Sequence, residues 1–422
     1  MLESAGGAGG FGQVVSARRL TANGGLVSFG AQMLRFAQHD NRGQHDKWAP
    51  HDKRARYDKW VWHGKWVRYD NRRGGGGFDV KEQDMLKVGI VGFGFMGRMH
   101  YRVWKGMAGA EVAAVCDANP SIVADSQKAV GNIDGAAEAI DFDSFKLYGD
   151  FDAMLADGAV DAISLTLPTY LHRPFATRAL AAGVHILCEK PMALSTADCD
   201  AMMAAAEDAG KVLQIGHCVR FWPEYAKTRE IVAGGQYGRV LAASFRRLGS
   251  PPTWSADNWF LDEQRSGGVA LDLHIHDTDY VQYLFGMPRA VCSRGSRARG
   301  GHLIHIATLY EYADDKVVVA EGGWGMAPQF GFEMSFNIVL EGATIVYDLT
   351  RDPMFKVCPV GGQSVQPAVG GGDGYIRQVE HFLKCVTGED VPPVTTLEQS
   401  RNSVRIVEAE KLSLAKGNRI AL

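Results

Sequence analysis

From residue 85 onward, short apolar runs alternate with longer stretches of helical spacing. Leu86 to Val91 is apolar except for Lys87 and Gly89, and a stretch from Met96 to about Met107 follows with its apolar positions three to four apart. The same pattern predicts a strand over Val112 to Cys116, a helix over Pro120 to Val130 and, after a connection to Asp150, a short helix ending at Leu155. Strands are then expected at Asp161 to Leu167, His185 to Cys188 and Val212 to Ile215, with helices at Leu171 to Ala182 and Ala197 to Ala209 between them. Helices inserted between short, fully apolar strands predict an α/β domain built on a parallel, doubly wound sheet. Farther along, β-rich segments lie at 241–248, 290–298, 303–312, 316–324 and 332–349. Two helices of 3.6-residue apolar spacing, Ile376 to Val386 and Glu398 to Ala415, read as packing elements.

None of this periodicity extends into the first 84 residues. That segment has 14 basic against 9 acidic side chains, which leaves −8 for the remainder of a chain whose net charge is −3. It holds four of the nine tryptophans (Trp48, Trp60, Trp62 and Trp66) and repeats of the type His45-Asp46-Lys47-Trp48 and Tyr57-Asp58-Lys59-Trp60, before running into Gly74 to Gly77. The composition is compatible with a basic aromatic arm for nucleic acid or an anionic surface, and Arg18-Arg19 invites comparison with a twin-arginine signal. Without an apolar face to dock, the segment is read as a disordered or spurious N-terminal extension, the folded chain beginning at Met85. The remaining organisation is then a nucleotide domain over 85–210 and a substrate and oligomerisation domain over 211–422.

With 46% hydrophobic and 22% charged residues the chain is globular in composition, and its slight net negative charge offers no basic field for nucleic acid. No apolar run is long enough to span a membrane. The seven cysteines are scattered without a CxxC pair, which fits a reducing, cytoplasmic setting rather than a disulfide framework or zinc knuckle.

Candidate chemistry begins at Gly92-Phe93-Gly94-Phe95-Met96-Gly97, a GxGxxG turn between the first strand and the first helix. In such a turn Gly92 permits the tight reversal, Gly94 lets a pyrophosphate approach the backbone, and Gly97 brings helix and strand together; the free N–H groups of the first helical turn, including those of Phe95 and Met96, face the phosphates. Asp117 ends the second strand 25 residues after Gly92, where a carboxylate accepts hydrogen bonds from the adenosine ribose, and no cation follows it to offset a 2′-phosphate. Strand, turn, helix, strand and acid in this order predict a Rossmann domain that binds NAD. Ligands of doubly wound sheets lie beyond the carboxyl ends of the strands, so Thr166, Pro168, His172, Glu189, Lys190 and Arg220 are expected along one edge of the cofactor site.

At Cys188-Glu189-Lys190-Pro191 the chain resembles the glucose–fructose oxidoreductase, inositol dehydrogenase and rhizopine catabolism family (Gfo/Idh/MocA). The resemblance covers residues 85–422 and rests on the ordered set Gly92 to Gly97, Asp117, Thr166 to His172, Glu189-Lys190-Pro191, Arg220-Phe221 and Gly267 to His276. It implies a C-terminal α+β domain with an open, mostly antiparallel sheet, a homodimer or homotetramer, and catalytic positions at Lys190, Asp272 and His276. His274 stands where many members of that family have a small residue, which suggests a narrowed pocket or an added substrate contact.

Residue chemistry gives the same reading independently. Oxidation of a secondary alcohol sends a hydride to the nicotinamide and a proton to a base, a role suited to histidine. On a regular helix after Gly267-Gly268, Asp272 and His276 share a face, so the carboxylate can orient the imidazole or bind a substrate hydroxyl. Lys190, at a strand end, can stabilise negative charge on the alcohol oxygen. A metal site at His274 and His276 with Asp272 and Asp277 is disfavoured, because side chains two apart on a helix point to different faces. Trp254, Asn258, Trp259 and Asp262 precede the catalytic segment and suit a sugar surface, Trp259 being the substrate candidate among them. The expected protein is an NAD-dependent oxidoreductase of a sugar, polyol or sugar derivative. An NAD-dependent glycosidase and a non-catalytic NAD-binding sensor remain as alternatives.

Overall fold

The structure, a computed structural model, describes residues 85–119, 121, 140–253 and 256–422. The readings of residues 1–84, of a helix at Pro120 to Val130 and of Trp254 fall outside them. Six strands form the first sheet: β1 (Leu86–Val91), β2 (Ala110–Cys116), β3 (Lys146–Tyr148), β4 (Ala162–Leu165), β5 (His185–Glu189) and β6 (Leu213–Gly216), all paired parallel in the order β3-β2-β1-β4-β5-β6. Its central strands read as unbroken apolar runs because both faces are covered, and β4 is buried at every position. The short edge strand β3 was not marked by the sequence pattern. Because β6 pairs with β5 through Ile186 to Glu189, the nucleotide domain extends past the expected boundary at 210, to Gly216.

Helix α1 (Phe95–Lys105) turns Tyr101, Trp104 and His100 onto this sheet. The neighbouring helices α2 (Phe151–Ala156), α3 (His172–Ala181) and α4 (Thr196–Ala209) follow β3, β4 and β5 as expected, and α4 starts where Ser195 accepts from the Asp198 N–H.

A helix without a sequence expectation, α5 (Pro223–Gly234), leads into the second sheet, followed by α6 (Glu263–Ser266). That sheet contains β7 (Val240–Gly249), β8 (Ala290–Arg297), β9 (Leu303–Glu311), β10 (Val317–Gly323), β11 (Phe332–Leu340), β12 (Ala343–Asp348), β13 (Phe355–Pro359) and β14 (Ile420–Ala421). Their order is β13-β12-β11-β7-β10-β9-β8-β14, antiparallel throughout except for the β7–β10 pair. The β-rich segment 332–349 is a hairpin that turns at Glu341-Gly342. One face packs Phe245, Phe336, Ile338, Ile345 and Tyr347 against Tyr225 and Tyr280, and truncating a ring such as Phe336 should cost about 3–5 kcal/mol.

After a π-helical turn (Ala270–His274), α7 (Ile275–Phe285) runs across this inner face. The last two helices join the domains. Phe382 of α8 (Gly374–Val386) packs edge-on against Trp104 of the nucleotide domain, while Thr278 and Gln282 of α7 bond to Glu410 and Ser403 of α9 (Leu397–Lys416). Among the described residues, no helix is long and apolar enough to cross a membrane.

Candidate active site

The glycines of the turn after β1 differ in what they make possible. Gly92 has φ of +87°, and Thr166 Oγ1 donates to its carbonyl at 2.6 Å. A Cβ on Gly97 would lie 2.0 Å from the Gly92 oxygen, so close packing of α1 on the turn requires the missing side chain. Around Gly94 nothing stands within 4 Å of an added Cβ, and the residue is exposed. That opening, with the N–H groups of Phe95, Met96 and Gly97 in the first turn of α1, fits a pyrophosphate. Asp117 leaves β2 with Oδ2 accepting from Phe93 N at 2.7 Å, and so fixes the turn. The partly exposed Thr166 and Pro168 follow β4 on the same sheet edge.

Two residues expected at the cofactor are engaged elsewhere. His172 is buried, its ring nitrogens 2.8 Å from the Pro191 carbonyl and 2.9 Å from that of Leu167, so it braces two loops. Arg220 is 1% exposed and binds Asp279 through Nε and Nη2 at 2.8 and 2.7 Å, with Nη1 on the Val394 carbonyl. These bonds tie the segment after β6 to α7.

Glu189, the last residue of β5, faces inward. Its Oε1 lies 2.9 Å from His100 Nε2, and its Oε2 accepts from Lys190 N at 3.2 Å. His100 Nδ1 in turn meets Ser164 Oγ at 3.0 Å, which also accepts from Trp104 Nε1 at 2.8 Å. Burial alone raises the Glu189 carboxyl, but the hydrogen bond and charge of His100, with Lys190 and His172 beyond, outweigh it and hold the group below the usual carboxylate range. In the sequence His100 carries one signal, a histidine among the buried Tyr101, Val103 and Trp104 of α1.

Lys190 projects from this bracket across the domain junction. Its Nζ donates to Asp272 Oδ1 at 3.0 Å and to the Asp272 carbonyl at 2.8 Å, with side-chain exposures of 15% and 11% for the pair. The expected regular helix after Gly268 is replaced by the π turn, and the Asp272 carboxylate serves Lys190 instead of orienting His276. His276 is partly exposed, and its Nδ1 is buried without a partner. Burial first, then the charges of Lys190, Arg247 and His217, push its pKa well below the ordinary imidazole value, so the ring is neutral at neutral pH. Arg247 is held nearby by Asp277 at 2.9 and 3.0 Å. His217, at the end of β6, is buried with neither ring nitrogen hydrogen-bonded and, chiefly through burial, a pKa lowered to about 4.

The remaining candidates divide. Trp259 is partly exposed in the segment before α6 and stacks on Phe260 with 4.1 Å between ring centroids. His274 has no exposed surface; its Nε2 points to Tyr310 and Glu410 in the second domain, so the expected substrate contact is not made. Tyr280, one turn beyond His276, is buried and donates to the Tyr225 carbonyl at 2.7 Å.

Comparison with known proteins identifies the family and the fold. The family described as an oxidoreductase family with an NAD-binding Rossmann fold matches residues 86–217, and the GFO/IDH/MocA C-terminal domain matches residues 225–346. Among curated relatives, a 2,7-anhydro-N-acetylneuraminate hydratase of Mediterraneibacter gnavus is 31% identical over 231 residues, 54% of this chain and 56% of the relative. A D-xylose 1-dehydrogenase (NADP(+)) of Haloferax volcanii is 26% identical over 65% of this chain and 84% of its own. This chain therefore spans little more than half the length of the first of these relatives. A solved levoglucosan dehydrogenase, in complex with NADH and levoglucosan, shares the fold with a TM-score of 0.67 at 23% identity, over 80% of this chain and 99% of that one.

Proposed function

Because the chain belongs to the Gfo/Idh/MocA family of oxidoreductases and carries its NAD-binding Rossmann domain, we propose that it oxidises a secondary hydroxyl of a sugar, polyol or sugar derivative. The observation that carries this reading is the ion pair of Lys190 with Asp272 beside a neutral His276 whose Nδ1 lacks a partner. When bound, NAD supplies the hydride acceptor. The chain's own residues then deal with the proton and the charge.

His276, uncharged, accepts the hydroxyl proton, and the surrounding cations that lower its pKa equally stabilise negative charge left on the substrate oxygen. Lys190 donates to that oxygen; Asp272, through carboxylate and carbonyl, holds the ammonium at the strand end. The Gly92–Gly97 turn and the first turn of α1 would hold the pyrophosphate, and Asp117 would accept from the ribose. Trp259 offers a ring face to the apolar side of a sugar.

The test is a panel of polyols and sugars incubated with NAD, read by the near-ultraviolet absorbance of NADH. Absorbance should rise with at least one polyhydroxylated compound and not with simple alcohols; no rise with any of them sinks the reading. A second reading follows from the relative named a hydratase: transient oxidation within a net non-redox conversion, as in an NAD-dependent glycosidase. It predicts a changed sugar without accumulated NADH.

A further inference from the structure

His274 sits between Asp272 and His276 in sequence, yet its ring turns into the second domain. Nε2 is 3.3 Å from the Tyr310 hydroxyl and 3.5 Å from Glu410 Oε1. Tyr310 donates to the same Glu410 oxygen at 2.8 Å, and Thr278, one turn farther along α7, reaches it at 3.2 Å. Both His274 and Glu410 are wholly buried. Glu410 of α9 therefore gathers the π turn, α7 and β9 at one carboxylate.

On the ring's other side is Gly322 of β10. An added Cβ there would lie 2.8 Å from His274 Nδ1 and 2.9 Å from its Cβ. Gly322 does not have positive φ, so the residue is small for the sake of the ring and not for its own backbone. A π turn contains one residue more per bonded loop than an α-helix and is stable only where packing holds it. Here it carries Asp272 and delivers His276.

We infer that His274, bound to Tyr310 and Glu410 in the space left by Gly322, anchors the π turn and thereby positions Asp272 and His276 against Lys190. His274 acts through those two residues and is a positioning residue. The kinetic part of the test rests on the oxidation proposed above; the spectroscopic part does not.

Gly322→Ala pushes a methyl group into the ring from the neighbouring strand while leaving the turn's sequence unchanged. Turnover should fall roughly 10- to 100-fold, the scale of an ångström-sized misplacement, with NAD affinity kept. His274→Ala should do the same, and the double variant should be no worse than His274→Ala alone, because the methyl then meets no ring. His274→Gln, which keeps a polar group toward Glu410, should recover part of the loss. A merely structural histidine would lower the melting temperature or the active fraction, but not turnover per active site.

The second measurement is the titration of the His276 ring by histidine NMR, identified by the signal lost in His276→Gln. His276 faces Lys190, Arg247 and His217, and displacing it from them should raise its pKa toward the ordinary value of about 6.5 in Gly322→Ala and His274→Ala. If both variants fold and neither turnover nor this titration moves, the anchor is wrong. If the wild-type protein oxidises nothing while the titration still shifts in both variants, the anchor stands and the oxidation reading falls.

Discussion

His100 Nε2 lies 2.9 Å from Glu189 Oε1, with 1% and 9% of the two side chains exposed. The contact joins the helix that starts at the glycine-rich turn to the strand end that precedes Lys190, so that turn and Lys190 share one buried brace. His100→Ala would leave a buried carboxylate without its main partner, and stability should fall by about 1–3 kcal/mol or more. Denaturant unfolding checks it. Glu189→Gln, which still hydrogen-bonds, should lose less than His100→Ala; equal stability of His100→Ala and wild type would dissolve the brace.

Removing the proposed base should separate catalysis from binding. His276→Ala is expected to lower turnover roughly 10²- to 10⁴-fold with NAD affinity unchanged, since no part of the phosphate turn depends on it. Steady-state rates and cofactor titration give the two numbers.

The pH dependence follows from the same imidazole. A base works when unprotonated, so activity rises with pH through its pKa, and a depressed pKa places that limb below the ordinary value of about 6.5. Lys190→Met removes one of the charges that depress it, and the residual activity should show the limb at higher pH. A limb that stays put in Lys190→Met and persists in His276→Ala assigns it to another group.

Gly94 and Gly97 should fail differently. A side chain at Gly97 meets the Gly92 oxygen, so Gly97→Ala should lower both the melting temperature and NAD affinity. Gly94→Val meets no protein atom within 4 Å of its Cβ and should leave the fold intact while blocking the pyrophosphate. Thermal melts beside cofactor titrations distinguish the two; loss of folding in Gly94→Val would contradict the open face described.

Asp117 should favour NAD over NADP, because its carboxylate would face a 2′-phosphate with like charge. Asp117→Ala combined with Asn119→Arg should shift the ratio of affinities toward NADP. Tighter NADP binding by the unchanged protein would remove this role from Asp117.

What the sequence alone determined is local or periodic. Apolar runs bounded by turns marked most strands of both sheets, and a glycine that needs positive φ or a missing Cβ is legible in a GxGxxG run because its neighbours in sequence are its neighbours in space. The order of motifs likewise pointed to Lys190, Asp272 and His276. Tertiary structure decided the partners. The spacing of Asp272 and His276 suggested a carboxylate orienting an imidazole, yet a π turn, favoured only by packing against β10 and α9, gave the carboxylate to Lys190. Arg220 and His172 stand in the right motifs, but each found its acceptors inside the protein, 59 and 19 residues away. His100 and Ser164 are 64 residues apart and carry no shared pattern, because a hydrogen bond between side chains of different elements depends on how a helix lies on a sheet, which no periodicity encodes.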